Sequence, residues 1–87
     1  MDADEVARAF GQTLRKFRKA AQLTQEQLAL YAHLQRNYVS ELELGQKQPS
    51  VTTLMKLARA LGVMPSEFIG YLDSLLSAPA KPPSSIK

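Results

Sequence analysis

TQEQLALYAHLQRNYVSELELG, residues 24–45, is the stretch that decides the fold. Thr24 is a favourable N-cap, and Gln27 three residues later can complete a capping box, so the pattern predicts a helix that begins just after Thr24. This helix breaks off near His33, and a second run of apolar residues at helical spacing ends at Gly45, which tolerates the left-handed conformation. The stretch therefore predicts two short helices joined by a tight turn.

The second of these helices has two different faces. Val39 and Leu42 form its inward stripe, and the residues that lie away from them at about 100° per residue point outward. Arginine can bond guanine and asparagine can bond adenine through two hydrogen bonds each, and glutamate can accept one from the cytosine amine. A solvated helix face would also be polar, but the capped helix and turn in front of this one favour contact with DNA bases. The outward residues are Asn37, Ser40, Glu41 and Leu44, and Arg36 lies on the flank at the helix start.

The order of motifs along the chain resembles the phage-repressor (Cro/CI, or XRE) family of helix-turn-helix DNA-binding transcriptional regulators. The matching segments are LTQEQLA, YVSELELG and QPSVTTLMKLARALGV, and together with the first helix they cover about residues 8–72. The resemblance implies an all-α fold, a compact five-helix bundle of the lambda-repressor-like type with the helix-turn-helix at helices 2 and 3. It also implies a dimer that binds a palindromic operator in double-stranded DNA.

The same resemblance assigns roles to individual side chains. It implies that the contacts to DNA base edges are Gln35, Arg36, Asn37 and Glu41. It implies that the contacts to the DNA backbone are Thr24, Gln25, Ser40, Lys47 and Arg18. A partly buried salt bridge is implied between Arg18 and Glu43, and we expect it to be mainly structural.

Three positions depart from what the motif favours. His33 stands at the turn position where the family usually has glycine, so we expect a left-handed backbone with a steric cost there. Gln35 is a poorer helix cap than the serine or threonine that is common at this position. The negative charge of Glu41 is unfavourable near phosphates unless it meets a base amine or an arginine, so we expect Glu41 to shape specificity and not affinity.

Three more helices are predicted around this motif. The first runs from about Asp4 to Ala21, the fourth begins after Ser50, and the fifth runs from Pro65 to about Leu76. The fifth helix has an apolar side about 160° wide, which is broader than one helix needs to close a small core. Part of it could pair with its copy across a two-fold axis, or all of it could cover the protomer core. The predicted dimer residues are Tyr71, Leu72, Leu75 and Leu76.

Composition limits the architecture to one small domain. The chain has 87 residues, 45% of them hydrophobic, and no cysteine, so a disulfide framework and a thiolate metal site are excluded. We expect a DNA-binding domain at residues 1–77 and a flexible tail rich in proline, serine and lysine at 78–87. No apolar stretch approaches the length of about 20 residues that crosses a bilayer, and the acidic N-terminus is unlike a signal peptide, so a cytoplasmic protein is expected.

Charge and chemistry favour a nucleic-acid partner over catalysis. Eight cations and three carboxylates lie between residues 11 and 61, a balance that suits phosphate. His33 is the only histidine and has no ligand or nucleophile partner at suitable spacing, so no enzyme, metal, cofactor or small-molecule ligand is predicted. The main hypothesis is a transcriptional repressor or autoregulating controller. The alternative is an antitoxin or antirepressor that uses the same fold to bind another protein.

Overall fold

The computed structural model describes residues 1–76, which form five α-helices and, within that range, no strand. The helices are α1 (Ala3–Ala20), α2 (Gln25–Ala32), α3 (Arg36–Glu43), α4 (Val51–Leu61) and α5 (Pro65–Leu76). The prediction of an all-α bundle with its helix-turn-helix at α2 and α3 is confirmed. The proposed tail at 78–87, and the domain boundary before it, lie outside the described residues.

Side-chain caps explain where the helices begin. The Thr24 hydroxyl accepts from the Gln27 N–H at 3.0 Å, and the Gln27 side chain accepts from the Thr24 N–H at 2.9 Å, which confirms the predicted capping box. Ser50 caps α4 as expected. A second capping box, between Asp2 and Glu5, starts α1 one residue earlier than predicted. Four N–H groups at the start of any helix need acceptors, and these side chains supply some of them.

Each helix contributes a fully buried side chain to one shared core. The Phe68 ring of α5 lies in the middle of an aromatic cluster, 5.2 Å from the Phe10 ring and 5.6 Å from the Phe17 ring between centroids. Both partners belong to α1, so α5 is fixed against α1 by large apolar surfaces. The side chains with no exposed surface, one from each helix in chain order, include Leu14, Leu28, Leu42, Leu57 and Phe68.

Gly11 lets α1 and α3 touch through their backbones. A Cβ built on Gly11 would lie 2.5 Å from the carbonyl oxygens of both Leu42 and Glu43, at the end of α3. No real side chain fits there, so glycine in the middle of α1 is explained by packing despite its helix cost of about 1 kcal/mol. The contact holds the C-terminal end of α3 directly on α1.

The turn between α2 and α3 has the left-handed residue that was expected. His33 has φ 58° and ψ 45°, and the Leu34 N–H donates to the Ala29 carbonyl at 2.8 Å to close the turn. A second non-glycine residue, Gln22, has φ 61° in the turn between α1 and α2, and the sequence had not indicated it. One left-handed residue therefore lies in each of the two turns that flank α2, three positions before the helix and directly after it.

Candidate nucleic-acid interface

The two faces of α3 differ in burial as its sequence predicts. Val39 and Leu42 have no exposed surface and pack into the core. On the opposite side, Gln35, Arg36 and Asn37 are exposed, Ser40 and Glu41 are half-buried, and Leu44 is 64% exposed. The residues expected to contact bases are thus brought together along one side of one helix. None of them belongs to the hydrophobic core of residues 1–76.

Gln35 precedes α3 without capping it. Its backbone is extended, with φ −86° and ψ 145°, and its side chain makes no hydrogen bond to the first turn of the helix. The expectation of a poor cap is confirmed. The amide of Gln35 is exposed in front of the helix, and within residues 1–76 no side chain caps the first N–H groups of α3.

The end of α3 folds back and places a lysine beside Glu41. Gly45 is left-handed, with φ 75°; its N–H donates to the Leu42 carbonyl at 3.1 Å, and the Gln46 N–H donates to the Glu41 carbonyl at 2.9 Å. This pair of bonds is a Schellman motif. Just beyond it, the Lys47 Nζ lies 3.5 Å from the Glu41 Oε1, with the two side chains 55% and 37% exposed. Glu41 therefore has a cationic partner, which is a lysine and not the arginine considered from sequence.

Glu43, on the inner side of α3, lies at the centre of a buried polar cluster. The Arg18 Nε donates to its Oε2 at 2.5 Å and the Arg18 Nη2 to its Oε1 at 3.0 Å. The Gln25 Nε2 also donates to Oε1 at 3.0 Å, and a further Arg18 nitrogen donates to the Leu23 carbonyl at 2.8 Å. The Arg18 and Glu43 side chains are only 11% and 3% exposed. The cluster ties α1, the start of α2 and the end of α3 together.

This cluster includes two of the residues that were predicted to contact the DNA backbone, Arg18 and Gln25. The Arg18 side chain is 11% exposed, and its Nε, Nη1 and Nη2 each donate one hydrogen bond within the protein, as expected of a mainly structural residue. Its contact with a phosphate stays a prediction. The Gln25 amide donates to Glu43, which the sequence did not indicate because Glu43 lies 18 positions further along the chain. Periodicity within a helix cannot reveal a partner that only tertiary packing supplies.

The N-terminus of α2 retains backbone donors for an anion. Within residues 1–76, the N–H of Thr24 and that of Gln27 have side-chain acceptors, whereas those of Gln25 and Glu26 have none. Unpaired N–H groups at a helix start favour phosphate through both hydrogen bonding and the helix dipole. The Thr24 hydroxyl uses its oxygen in the cap and keeps its proton to donate.

The predicted dimer residues on α5 do not all face outward. Leu72 is only 9% exposed and belongs to the protomer core, so it offers almost no surface to a partner. Tyr71 is half-buried against the Phe17 ring, at 6.0 Å between centroids, and Leu76 packs beside the core. Leu75 is 41% exposed, and Ile69, which was not among the predicted residues, is 42% exposed. The wide apolar side of α5 thus partly covers its own protomer core, and the dimer contact stays a prediction.

The described residues offer neither a metal cluster nor a membrane-spanning helix. No group of three histidine, cysteine, aspartate or glutamate side chains within residues 1–76 is placed to hold a metal ion. Over the same range, no helix combines the length and the apolar character that a membrane crossing demands.

Comparison with known proteins identifies the family. Residues 14–68 match the helix-turn-helix family. The chain belongs to that family. One relative is the immunity repressor protein of Bacillus phage phi105, which is 42% identical over 60 residues. That match covers 69% of this helix-turn-helix protein and 42% of the repressor, so the chain spans less than half of that relative.

Solved structures of restriction-modification controller proteins share the fold. The restriction-modification controller protein C.AhdI from Aeromonas hydrophila is 44% identical, with a TM-score of 0.69 over 71% of this chain and 94% of the controller. The controller protein C.Esp1396I, solved as a tetramer in complex with its natural 35 base-pair operator, is 25% identical. Its TM-score is 0.76 over 83% of this chain and 96% of its own. The five-helix arrangement is thus that of known regulators.

Proposed function

We propose that this protein is a sequence-specific, double-stranded-DNA-binding transcriptional regulator, a repressor or an autoregulating controller, that inserts α3 in the major groove. The observation that carries the proposal is the outer face of α3, which presents base-bonding side chains on a helix whose other side is locked into the core. The B-DNA major groove, about 12 Å wide, admits an α-helix. Relatives that are a phage repressor and restriction-modification controllers support this function. The activity is binding and not catalysis, needs no cofactor, and takes place in the cytoplasm with the DNA.

Specificity is assigned to the first half of α3 and to one acidic side chain. Arg36 suits guanine and Asn37 suits adenine, because each can form two hydrogen bonds with the base edge. Gln35 reaches forward from an uncapped helix start, and Glu41 accepts from a cytosine amine. Leu44, exposed at the end of the same face, adds an apolar contact for a thymine methyl group.

Affinity is assigned to groups on either side of α3. One phosphate is bound at the start of α2 by the backbone N–H groups of Gln25 and Glu26 together with the Thr24 hydroxyl. Ser40 and Lys47 contact the backbone on the other side. Such contacts position the protein on the duplex without selecting sequence, and their loss weakens binding to all DNA.

The protein binds its operator as a homodimer, as the tetrameric operator complex of C.Esp1396I supports. The α5 surface remaining for a two-fold contact consists of Tyr71, Leu75 and Leu76, extended by the exposed Ile69. A two-fold axis would place two copies of α3 in half-sites about 34 Å apart, one turn of DNA. A purely protein-binding role, as an antitoxin or antirepressor, is less well supported because it does not explain the side chains suited to base contacts on the outer face of α3.

Selection of bound sequences from a random DNA pool tests the proposal. The wild-type chain should enrich a palindrome, and Arg36→Ala and Asn37→Ala should each cost about 1 to 3 kcal/mol of binding and flatten preference at one position per half-site. Arg59→Ala is the matched control, because it removes an exposed arginine from α4 and should leave the selected sequence unchanged. A double variant Arg36→Ala/Asn37→Ala that still selects the wild-type palindrome would rule out this mode of recognition.

A further inference from the structure

The position of Glu41 creates an electrostatic problem that the proposed function alone does not solve. Its carboxylate lies on the face of α3 that would enter the major groove, close to two rows of phosphates. Unlike Glu43, it is not enclosed by donors from residues 1–76, and its side chain is 37% exposed. An isolated carboxylate there would be repelled by the phosphates, and it would swing toward solvent and away from the base edges.

The Schellman motif at the end of α3 brings a positively charged side chain to Glu41. The Gln46 N–H is bonded to the carbonyl of Glu41 itself, so the chain that leaves α3 starts back over the very residue that needs a partner. Lys47 follows directly, and its Nζ is 3.5 Å from the Glu41 Oε1. The left-handed Gly45 makes this reversal possible. The lysine is thus placed by the backbone, and its pairing is built into the end of α3.

We propose that Lys47 is a positioning residue for specificity: it stays paired with Glu41 on DNA and holds the carboxylate where it accepts a hydrogen bond from a cytosine amine. The inference rests on the proposed function and refines it, since Lys47 would otherwise be a sequence-independent phosphate contact. A lysine ammonium carries three N–H donors, so it can bridge the Glu41 carboxylate and a phosphate at the same time.

The pair should become stronger on DNA than in the free protein. In the free protein the Lys47 and Glu41 side chains are 55% and 37% exposed, and an ion pair this open to water is weak because solvent screens it. Docking in the groove removes water, lowers the local dielectric constant and strengthens the attraction. Removing Lys47 should therefore harm binding more when Glu41 is present than when a neutral glutamine has replaced it.

A double-mutant cycle with sequence selection tests this coupling on the whole 87-residue chain. The variants are Lys47→Gln, Glu41→Gln and their combination, with Lys56→Gln as the matched control, an exposed lysine on α4 that forms no ion pair within residues 1–76. Lys47→Gln and Glu41→Gln should each lose the cytosine preference at the same position and keep the preferences due to Arg36 and Asn37. In affinity for the selected operator, Lys47→Gln should cost at least about threefold more in the wild-type background than in the Glu41→Gln background.

The outcomes separate this inference from the proposed function. If Lys47→Gln weakens binding to every sequence by one factor and leaves base preferences intact, Lys47 is only a phosphate contact and the inference is wrong. If Lys47→Gln lowers operator affinity by the same factor in the wild-type and Glu41→Gln backgrounds, the inference is wrong as well. The proposed function would still stand in that case, provided that the wild-type protein selects a palindrome. If wild type selects no sequence, both the proposed function and the inference fail. Matching thermal melts of all variants will show that the fold is retained.

Discussion

Glu41 and Glu43 are two residues apart on α3, yet their surroundings have little in common. Glu43 is 3% exposed and accepts hydrogen bonds from Arg18 and Gln25, so its charge is compensated inside the protein. Glu41 is 37% exposed, with one lysine at 3.5 Å. Two positions correspond to a rotation of about 200° around a helix, which puts the two carboxylates on opposite sides. The same side chain therefore serves as scaffold on one side and as a candidate base contact on the other.

The difference shows why a helix-turn-helix can change its target without losing its fold. The inner face of α3 is held by a buried ion pair, by Val39 and Leu42, and by a backbone contact with Gly11. The outer face contributes almost nothing to the core. Substitution on the outer face should therefore alter DNA binding alone, whereas substitution on the inner face should alter stability first.

The largest effect is expected where the buried cluster is broken. Glu43→Gln should lower the free energy of unfolding by about 3 kcal/mol, because it leaves the Arg18 charge buried without its partner. Glu41→Gln, the same chemical change two residues earlier, should stay within about 0.5 kcal/mol of wild type. Urea denaturation measures both, and equal losses in the two variants would contradict the division between the faces.

The next largest effect concerns the contact between α1 and α3. Gly11→Ala should destabilise by about 1 to 3 kcal/mol, since the added methyl group meets two backbone carbonyl oxygens at 2.5 Å. Gly70→Ala is the matched control: a Cβ at Gly70 would meet no atom of residues 1–76 within 4 Å, so alanine should stabilise α5 by up to about 1 kcal/mol. The midpoint temperature of thermal unfolding should fall for Gly11→Ala and rise for Gly70→Ala. A higher midpoint for both variants would show that α1 and α3 are not in backbone contact.

A smaller effect is expected at Gln25. Its side chain belongs to the buried cluster around Glu43, and its backbone N–H lies at the proposed phosphate site. Gln25→Met keeps the length of the side chain but removes its hydrogen bond to Glu43, which should cost about 1 kcal/mol of stability. Its backbone N–H remains, so affinity for DNA should change little. Chemical denaturation and operator titration of the same sample separate the two roles. A large loss of DNA affinity with unchanged stability would show that the Gln25 side chain contacts a phosphate, as the resemblance implied, and is not needed in the buried cluster.

The smallest effect should come from the turn that sets the angle between α2 and α3. His33→Gly removes the cost of a left-handed conformation in a residue with a Cβ, and the gain should be about 0.5 to 1 kcal/mol after the extra flexibility of glycine is subtracted. The outer face of α3 is untouched, so the selected DNA sequence should remain the same. Calorimetry with a parallel binding assay tests this; a changed operator preference would mean that the turn distorts the orientation of α3.

Local signals in the sequence were sufficient for the helices and for the two-faced character of α3. Thr24 and Ser50 cap their helices through bonds to residues three positions away, and interactions this short are visible in the order of residues. The left-handed His33 also followed from its place in the motif. The Arg18 and Glu43 pairing came only from the resemblance to a family, because nothing local joins residues 25 positions apart.

What the sequence did not reveal depends on contacts between distant elements. The role of Gly11 is set by the end of α3, which passes over it in space. Leu72 was assigned to a dimer because the apolar side of α5 is wide, but a helical wheel does not distinguish surface facing the protomer core from surface facing a second copy. The Lys47 partner of Glu41 depends on a chain reversal at Gly45 that brings the two side chains to the same side.

The backbone contact at Gly11 also bears on how operators can diverge. At Gly11 no side chain separates α1 from the end of α3, so no change of side-chain conformation there can accommodate a displacement of one helix relative to the other. A change in α1 that tilts its axis would be transmitted to the recognition helix and would move both copies of it symmetrically in a dimer. Evolution of the spacing between half-sites could therefore proceed through substitutions in α1, far from any nucleotide.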